Sequence, residues 1–274
     1  MINENLKKTR DVWLRKMLYI VFIIFLYIVF TIWGKEANFP ESVYRSLIEL
    51  LNFILIIFFI IPSDGGVKWI KYFKEESVKS KSIYVVVLPI IFAIFDNLII
   101  SITRYIPKIL GGDVINIGAG QAVILLKEFT FEYTVFYCVL PAFTEEIIFR
   151  FLPYVGLGII VDNILKVKKK FEHKKIKLEF IFKAVENLKK DLFLNKKTYA
   201  VVLWITITAT IFALAHGPNI TNFYFYFTGG ALFGWLYLKY GLVSAMLGHM
   251  LNNYLSPTIL SLVTYILSDV IRVI

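Results

Sequence analysis

The sequence predicts an all-α, polytopic membrane protein with about eight transmembrane helices that enclose a polar cavity. Of its 274 residues, 58% are hydrophobic and 17% are aromatic, whereas an ordinary soluble domain is about 45–50% apolar. The apolar residues also occur in repeated runs near the length of about 20 residues that a spanning helix needs. We therefore interpret residues 1–274 as a single integral membrane domain located in the cell membrane.

The first half of the chain contains three apolar runs, at about 17–34, 43–62 and 82–103. The glycine-rich stretch that follows, 105–132, either re-enters the membrane or lies at its surface. The next run, 132–165, is too long for one straight helix, and its prolines predict two helical pieces there, because proline kinks or breaks a helix. Those prolines are Pro141 and Pro153.

Four further apolar runs follow a lysine-rich stretch in the second half, at about 199–215, 220–238, 242–255 and 256–271. Glycine-containing dipeptides predict tight turns between the first pair and between the second and third runs. These dipeptides are Gly217-Pro218 and Tyr240-Gly241.

The stretch 166–198 is a basic, amphipathic insertion in which apolar residues recur at near-helical spacing among lysines. This pattern favours a helical hairpin on an anionic membrane face. A solvated, charged connector is the alternative reading. The net charge of +10 lies mostly between the apolar runs, which indicates membrane orientation and no nucleic-acid partner.

The positions of lysine and arginine predict the orientation in the membrane. Five such residues precede the first apolar run and five lie between the second and third, whereas the first connector holds only Lys35 and Arg45. Because cytoplasmic loops are enriched in lysine and arginine, we expect a cytoplasmic N-terminus and a cytoplasmic 166–198 insertion.

The run around PAFTEEIIFR carries three charged side chains within otherwise apolar sequence, Glu145, Glu146 and Arg150. Glu146 and Arg150 are four residues apart and can pair on one helix face, while Glu145 projects about 100° away. One carboxylate is thus available for chemistry. The alternative is an ion-paired lock between helices. Charged groups within membrane segments are costly and usually functional.

Two later runs add imidazole and carboxamide groups. His216 ends an apolar run four residues after Phe212, and His249 shares a helix face with Asn253. Taken singly, each histidine is equally consistent with a structural role. Together, one carboxylate, two imidazoles and a carboxamide can activate water and stabilise an oxyanion.

A further polar pair within the third apolar run, Asp96-Asn97, either lines the same cavity or bridges two helices. We favour bridging, since polar side chains commonly hydrogen-bond across membrane helices.

Three ordered motifs resemble the Ras-converting type II CAAX prenyl endopeptidases and their prokaryotic relatives, the CPBP or Abi family of intramembrane proteases. The motifs are EExxxR at 145–150, FxxxH at 212–216 and HxxxN at 249–253. The resemblance covers roughly the second half of the chain, and the lysine-rich insertion between the first two motifs is longer than expected for minimal bacterial members.

The resemblance implies an intramembrane endopeptidase that removes the C-terminal tripeptide from a farnesylated or geranylgeranylated CAAX protein, with no cofactor, catalytic metal or covalent enzyme intermediate. Glu145 would activate water with help from His216, and His249 and Asn253 would bind the oxyanion. Glu146 and Arg150 would hold the site in shape, with Phe212 in support. Membrane lipid is the other expected partner.

Two other functions use the same residues. Two imidazoles and one or two carboxylates suit a zinc protease, although the close HExxH spacing is absent. A transporter or a membrane scaffold would use the polar groups as a proton relay or as structural contacts, but no internal repeat supports a transporter built from inverted halves.

Overall fold

The computed structural model describes residues 66–115, 134–171, 179–217, 219 and 222–273. These residues form helices joined by short turns, and no strand occurs among them. The predicted runs 17–34 and 43–62 lie outside the described residues, as does most of the ambiguous stretch 105–132.

Three of the described elements are π-helical turns, labelled π1 to π3, and the rest are α-helices. In chain order they are α1 (Gly66–Ser77), α2 (Tyr84–Ile109), π1 (Thr134–Val139), α3 (Leu140–Glu146), π2 (Ile147–Phe151), α4 (Leu152–Phe171), α5 (Glu179–Leu188), π3 (Lys189–Leu194), α6 (Thr198–Ala215), α7 (Phe223–Tyr240) and α8 (Leu242–Val273).

Within the described ranges, three helical segments are long and apolar enough to cross a membrane. They are Tyr84–Ile109, Tyr137–Lys168 and Thr198–Ala215. The predicted all-helical membrane fold is therefore confirmed. The predicted number of about eight spanning helices is not confirmed, since the first two runs lie outside the described residues and other runs merge.

The predicted division of 132–165 into two helical pieces is wrong, because π1, α3, π2 and α4 form one uninterrupted helix. A π-helical turn ends just before each proline, Pro141 and Pro153. Proline cannot donate to the carbonyl four residues earlier and its ring clashes with that carbonyl. A wider π turn changes the local hydrogen-bond register, so the chain passes both prolines without a break.

The predicted separation of 242–255 from 256–271 is also wrong, since α8 continues through Pro257. Contacts with α2 hold α8 on both sides of this proline. Before it, the Asn97 amide donates to Asn252 Oδ1 at 2.7 Å. Beyond it, the hydroxyls of Tyr105 and Thr264 lie 2.6 Å apart. The polar pair at 96–97 thus contributes a bridge between helices, as its sequence setting indicated.

The helix α7 lies in the centre of the described structure and packs against α6 and α8. Glycines permit the closest approaches. A Cβ atom on Gly230 would lie 3.2 Å from Ala209 Cα, and one on Gly248 would lie 2.9 Å from Leu236 Cδ1. Gly248 thus lets α7 approach α8 closely next to His249.

The turn between α7 and α8 packs against the connector that joins α1 to α2. Gly241 adopts a φ of +102°, and a Cβ there would lie 2.7 Å from the Ser77 carbonyl oxygen. The amide of Lys79 donates to the Tyr240 carbonyl at 3.0 Å. Only glycine accommodates both this backbone conformation and this approach without strain.

The described part of the 166–198 insertion consists of the end of α4, α5 and π3. Lys168 pairs with Glu186 at 2.7 Å, and Lys189 pairs with Asp162 at 2.7 Å. The earlier position in α4, Asp162, thus pairs with the later position in the segment, Lys189, and the later position, Lys168, pairs with the earlier one, Glu186. The segment therefore runs antiparallel to α4. Its cytoplasmic location stays a prediction.

Candidate active site

The two neighbouring glutamates of α3 occupy different environments. The side chain of Glu145 is 24% exposed, whereas that of Glu146 is fully buried. Glu146 Oε1 lies 3.2 Å from Arg150 Nη1, one helical turn later. The predicted pairing of Glu146 with Arg150 is therefore present, and the Glu145 side chain is the more exposed of the two.

His249 on α8 lies against both glutamates. Its Nδ1 is 2.9 Å from Glu146 Oε1, and its Nε2 is 3.8 Å from Glu145 Oε2. Because a carboxylate only accepts hydrogen bonds, Nδ1 carries the proton of this contact. The remaining nitrogen, Nε2, is thereby directed at Glu145.

His216, at the end of α6, is held in the same manner. Its Nδ1 lies 2.8 Å from the Phe212 carbonyl oxygen, which also only accepts, so Nδ1 is again the protonated nitrogen. Its Nε2 is 3.5 Å from Glu145 Oε2. One oxygen of Glu145 therefore faces the Nε2 atoms of two imidazoles that come from two different helices.

The acidic groups of this cluster outnumber its permanent positive charge. With both glutamates ionised and Arg150 positive, the net charge of these three groups is one negative unit. A neutral imidazole with its proton on Nδ1 presents only a lone pair at Nε2. A proton on Nε2 of either histidine would therefore let that imidazole donate to Glu145 Oε2.

Arg150 organises the buried side of the site. Its side chain is 1% exposed, and its Nη2 donates to the Gly230 carbonyl at 3.1 Å. Its Cζ lies 4.4 Å from the centre of the Phe212 ring, a cation–π contact that adds to the charge pairing with Glu146. The arginine thus links the glutamates of α3 to α6 and α7.

Phe212 lies between the two histidines as well as above the guanidinium. The centre of its ring is 4.5 Å from that of His216 and 5.8 Å from that of His249. A buried aromatic ring at this position limits the rotation of both imidazoles. Its predicted supporting role is consistent with these contacts.

Two aromatic residues of α7 that the sequence analysis missed also contact the histidines. Tyr226 stacks on His216 with ring centres 4.6 Å apart, and Phe233 stacks on His249 at 4.8 Å. Both lie in an aromatic-rich segment, FYFYFTGGALF, whose many similar residues gave no reason to select these two. Only the packing of α7 identifies them.

Asn253 lies one turn after His249 on α8, and its amide donates to the Tyr137 carbonyl at 3.3 Å. Tyr137 precedes Glu145 by about two turns of the same continuous helix. Asn253 is therefore attached to the helix that carries the glutamates. The other six predicted residues form the closely packed group described above.

Across the described ranges, no group of three or more His, Cys, Asp or Glu side chains has the arrangement of a metal site. The group instead pairs carboxylates with imidazoles and a guanidinium. Exposure differs within the group: the Glu146–Arg150 ion pair is fully buried, whereas the side chains of Glu145 and His216 are partly exposed. This arrangement suits proton transfer between carboxylate and imidazole groups in a partly exposed site.

The fold and this site together define a class, the helical membrane proteins with a glutamate and two histidines in their interior. Residues 127–255 match the protein family described as type II CAAX prenyl endopeptidase Rce1-like. The match includes all three motifs and every residue of the group. No curated protein and no solved structure matches the chain at a significant level.

Over these residues, somewhat less than half of the chain, the protein is similar to the Rce1-like type II CAAX prenyl endopeptidases. The family resemblance that the motifs indicated is confirmed. This similarity and the apolar helices support a membrane-embedded protease of the general CAAX type.

Proposed function

We propose that the protein removes the C-terminal tripeptide from prenylated CAAX proteins, with Glu145 as the base that activates water. The observation that carries this proposal is the position of Glu145, which is partly exposed and faces two imidazole Nε2 atoms at 3.5 and 3.8 Å. A carboxylate beside protonatable imidazoles can accept a proton from water and pass it on.

In the proposed reaction, water enters beside Glu145 and loses a proton to its carboxylate. The oxygen attacks the scissile carbonyl carbon and forms a tetrahedral intermediate with a negatively charged oxygen. The proton then moves to the amine nitrogen, directly or through His216, and the carbon–nitrogen bond breaks. No bond to the enzyme forms, and the products are the shortened prenylated protein and a tripeptide.

His249 and Asn253 are proposed to stabilise the oxyanion. For His249 this role requires a proton on Nε2, since Nδ1 already donates to Glu146. Glu146, itself paired with Arg150, fixes the orientation of the His249 ring. Removing one oxyanion-hole donor typically costs about 10²–10³-fold in rate.

The substrate is proposed to be a farnesylated or geranylgeranylated protein already anchored in the bilayer. A lipid-modified cysteine concentrates the peptide at the membrane, where the site lies between apolar helices. We further propose that residues 1–274 form one membrane domain, with the N-terminus and the 166–198 insertion on the cytoplasmic side, where prenylated proteins reside.

The test is cleavage of a farnesylated CAAX peptide by purified protein in vesicles, with the same peptide lacking the prenyl group as a substrate control. We expect Glu145→Gln to reduce kcat by about 10²–10⁴-fold, the usual contribution of a general base. Glu75→Gln, which alters an exposed glutamate of α1, is the matched control. Wild-type rates for Glu145→Gln would rule out the proposed base.

Metal independence is a separate part of the proposal and has its own test. We expect activity to persist after prolonged treatment with a zinc chelator. Elemental analysis of the active protein should find no stoichiometric metal. Loss of activity on chelation, with recovery on adding zinc, would instead assign the two histidines and Glu145 to a metal.

A further inference from the structure

The 166–198 insertion accounts for most of the net positive charge of the protein. It contains twelve lysines and four acidic residues, a net charge of +8 within a total of +10. The proposed reaction uses none of these residues. Such a concentration of lysine beside a membrane helix favours contact with anionic lipid.

The described part of the insertion also exposes apolar side chains. Helix α5 has no buried residue. Phe180 is 81% exposed, Ile181 43% and Leu194 67%, and Leu188 is exposed as well. We refer to Phe180, Ile181, Leu188 and Leu194 as the apolar face.

Ion pairs hold the opposite side of this segment against α4. Lys168 contacts Glu186 at 2.7 Å and Asp162 contacts Lys189 at 2.7 Å. Both acidic groups are therefore engaged at the contact with α4. Lys183 and Lys190 remain exposed next to the apolar face, so the outward surface combines apolar side chains with positive charge.

The antiparallel direction of α5 and π3 brings the segment back along a helix that can span the membrane. A Cβ on Gly158 would lie 3.4 Å from Phe193 Cε1. Gly158 is ten residues before Lys168, the end of that candidate span, which corresponds to about 15 Å of helix. The end of π3 therefore lies closer to the middle of that candidate span than α5 does, and Leu194 lies closer to it than Phe180.

We propose that the apolar face of α5 and π3 binds the anionic lipid surface at the membrane boundary. Leu188 and Leu194 contact the acyl region, while Lys183 and Lys190 contact lipid phosphates. Burial of the apolar side chains and attraction between lysine and phosphate act together in such binding. The insertion is then a lipid-binding surface rather than a solvated connector.

The experiment places a fluorescent label on single cysteines of the full chain in vesicles. The only native cysteine, Cys138, is buried and is replaced by alanine in this background. Labels are attached through Leu194→Cys, Phe180→Cys and Lys183→Cys. The vesicles contain phosphatidylcholine with or without phosphatidylglycerol, and quenching by lipid-borne nitroxide is compared with quenching by aqueous iodide.

With phosphatidylglycerol present, we expect the Leu194 label to be several-fold less accessible to iodide than the Lys183 label. We also expect it to be quenched more by the lipid-borne nitroxide than the Phe180 label. Adding Lys183→Gln and Lys190→Gln to the Leu194 variant should remove the effect of phosphatidylglycerol. The matched pair Lys71→Gln and Lys74→Gln, on α1, should retain it.

Equal iodide accessibility of the Leu194 and Lys183 labels in both vesicle types would overturn the proposal. Lipid contact that is independent of phosphatidylglycerol would overturn the anionic assignment. Protection that increases with protein density at constant lipid composition would assign the face to a second copy of the chain. None of these measurements uses catalysis, so their outcome is independent of the role proposed for Glu145.

Discussion

Glu146 and His249 are 103 positions apart in the chain, yet Oε1 of the glutamate lies 2.9 Å from Nδ1 of the histidine, with both side chains buried. This contact fixes the proton of His249 on Nδ1 and directs Nε2 toward Glu145. The fully buried glutamate thereby determines the orientation of a histidine that faces Glu145.

Removing the Glu146 carboxylate should destabilise the fold. Glu146→Ala leaves the buried Arg150 without its counter-charge, and an uncompensated buried charge costs about 3–5 kcal/mol. Glu146→Gln keeps an oxygen that can accept from both partners and should cost less. The measurement is denaturant unfolding in detergent micelles.

The control is Glu75→Ala, which breaks the exposed pair between Lys71 and Glu75 at 3.8 Å. An exposed pair contributes about 0–1 kcal/mol, so this variant should unfold close to wild type. Equal losses for the buried and the exposed glutamate would contradict the structural role given to Glu146.

Gly230→Ala should impair both stability and activity. Its new Cβ would lie 3.0 Å from Phe212 Cδ1 and 3.2 Å from Ala209 Cα. Relieving these contacts displaces Phe212 and the carbonyl that binds Arg150, and overpacking of this kind costs about 1–3 kcal/mol. Thermal unfolding and peptide cleavage are the two measurements.

The comparison for this variant is Gly156→Ala in α4, where a new Cβ meets nothing within 4 Å. Alanine is favoured over glycine within a helix by about 1 kcal/mol. We expect Gly156→Ala to be neutral or stabilising. A loss as large as that of Gly230→Ala would show that steric contact is not the cause.

The ring of Tyr226 should matter more than its hydroxyl. It stacks on His216 at 4.6 Å, on the imidazole whose Nε2 faces Glu145. Tyr226→Leu removes the stacked ring, and a misplaced catalytic group can cost up to about 10²-fold in rate. Tyr226→Phe retains the ring and should keep most of the activity.

The measurement is the pH profile of kcat together with KM for both Tyr226 variants. A positioning role predicts a lower kcat and an altered pH profile for Tyr226→Leu, with rescue in Tyr226→Phe. Equal losses in the two variants would point to the hydroxyl instead of the stacking contact.

Lys79 should make stability depend on pH in the alkaline range. It lies in the connector between α1 and α2, where burial lowers its pKa from the ordinary value of 10.5, despite its contact with Glu76. Between the lowered pKa and 10.5, the unfolded chain binds more protons than the folded protein, so this contribution to stability increases as pH rises.

This effect is measured as the difference in unfolding free energy between wild type and Lys79→Met across that pH window. The difference should shift in favour of wild type as pH increases. Lys74→Met, on the exposed side of α1, corrects for the loss of a lysine as such. A shift in the opposite direction would contradict the dominance of burial over the contact with Glu76.

The sequence was sufficient to predict the membrane fold, the apolar helix that ends beside His216 and the one that contains His249, and the polar residues of the candidate site. These features depend on local composition and on i to i+4 spacing, which place Glu146 with Arg150 and His249 with Asn253 on common faces. The sequence also identified the turn at Gly241, because glycine tolerates the conformation required there.

The predictions based on proline were wrong. A proline destabilises a helix locally, but contacts with the surrounding structure can keep that helix continuous. The π turns before Pro141 and Pro153 and the contacts between α2 and α8 around Pro257 keep those helices continuous. Whether a proline breaks a helix depends on neighbours that are distant in sequence.

The tertiary structure alone decided which atoms meet. The approach of α6, α7 and α8 to α3 makes Glu146 the buried partner of His249 and leaves Glu145 partly exposed, and it adds Tyr226 and Phe233. A side chain's spacing along a helix determines the face on which it lies. Its partner across the interface depends on helix packing, which involves residues far apart in the chain.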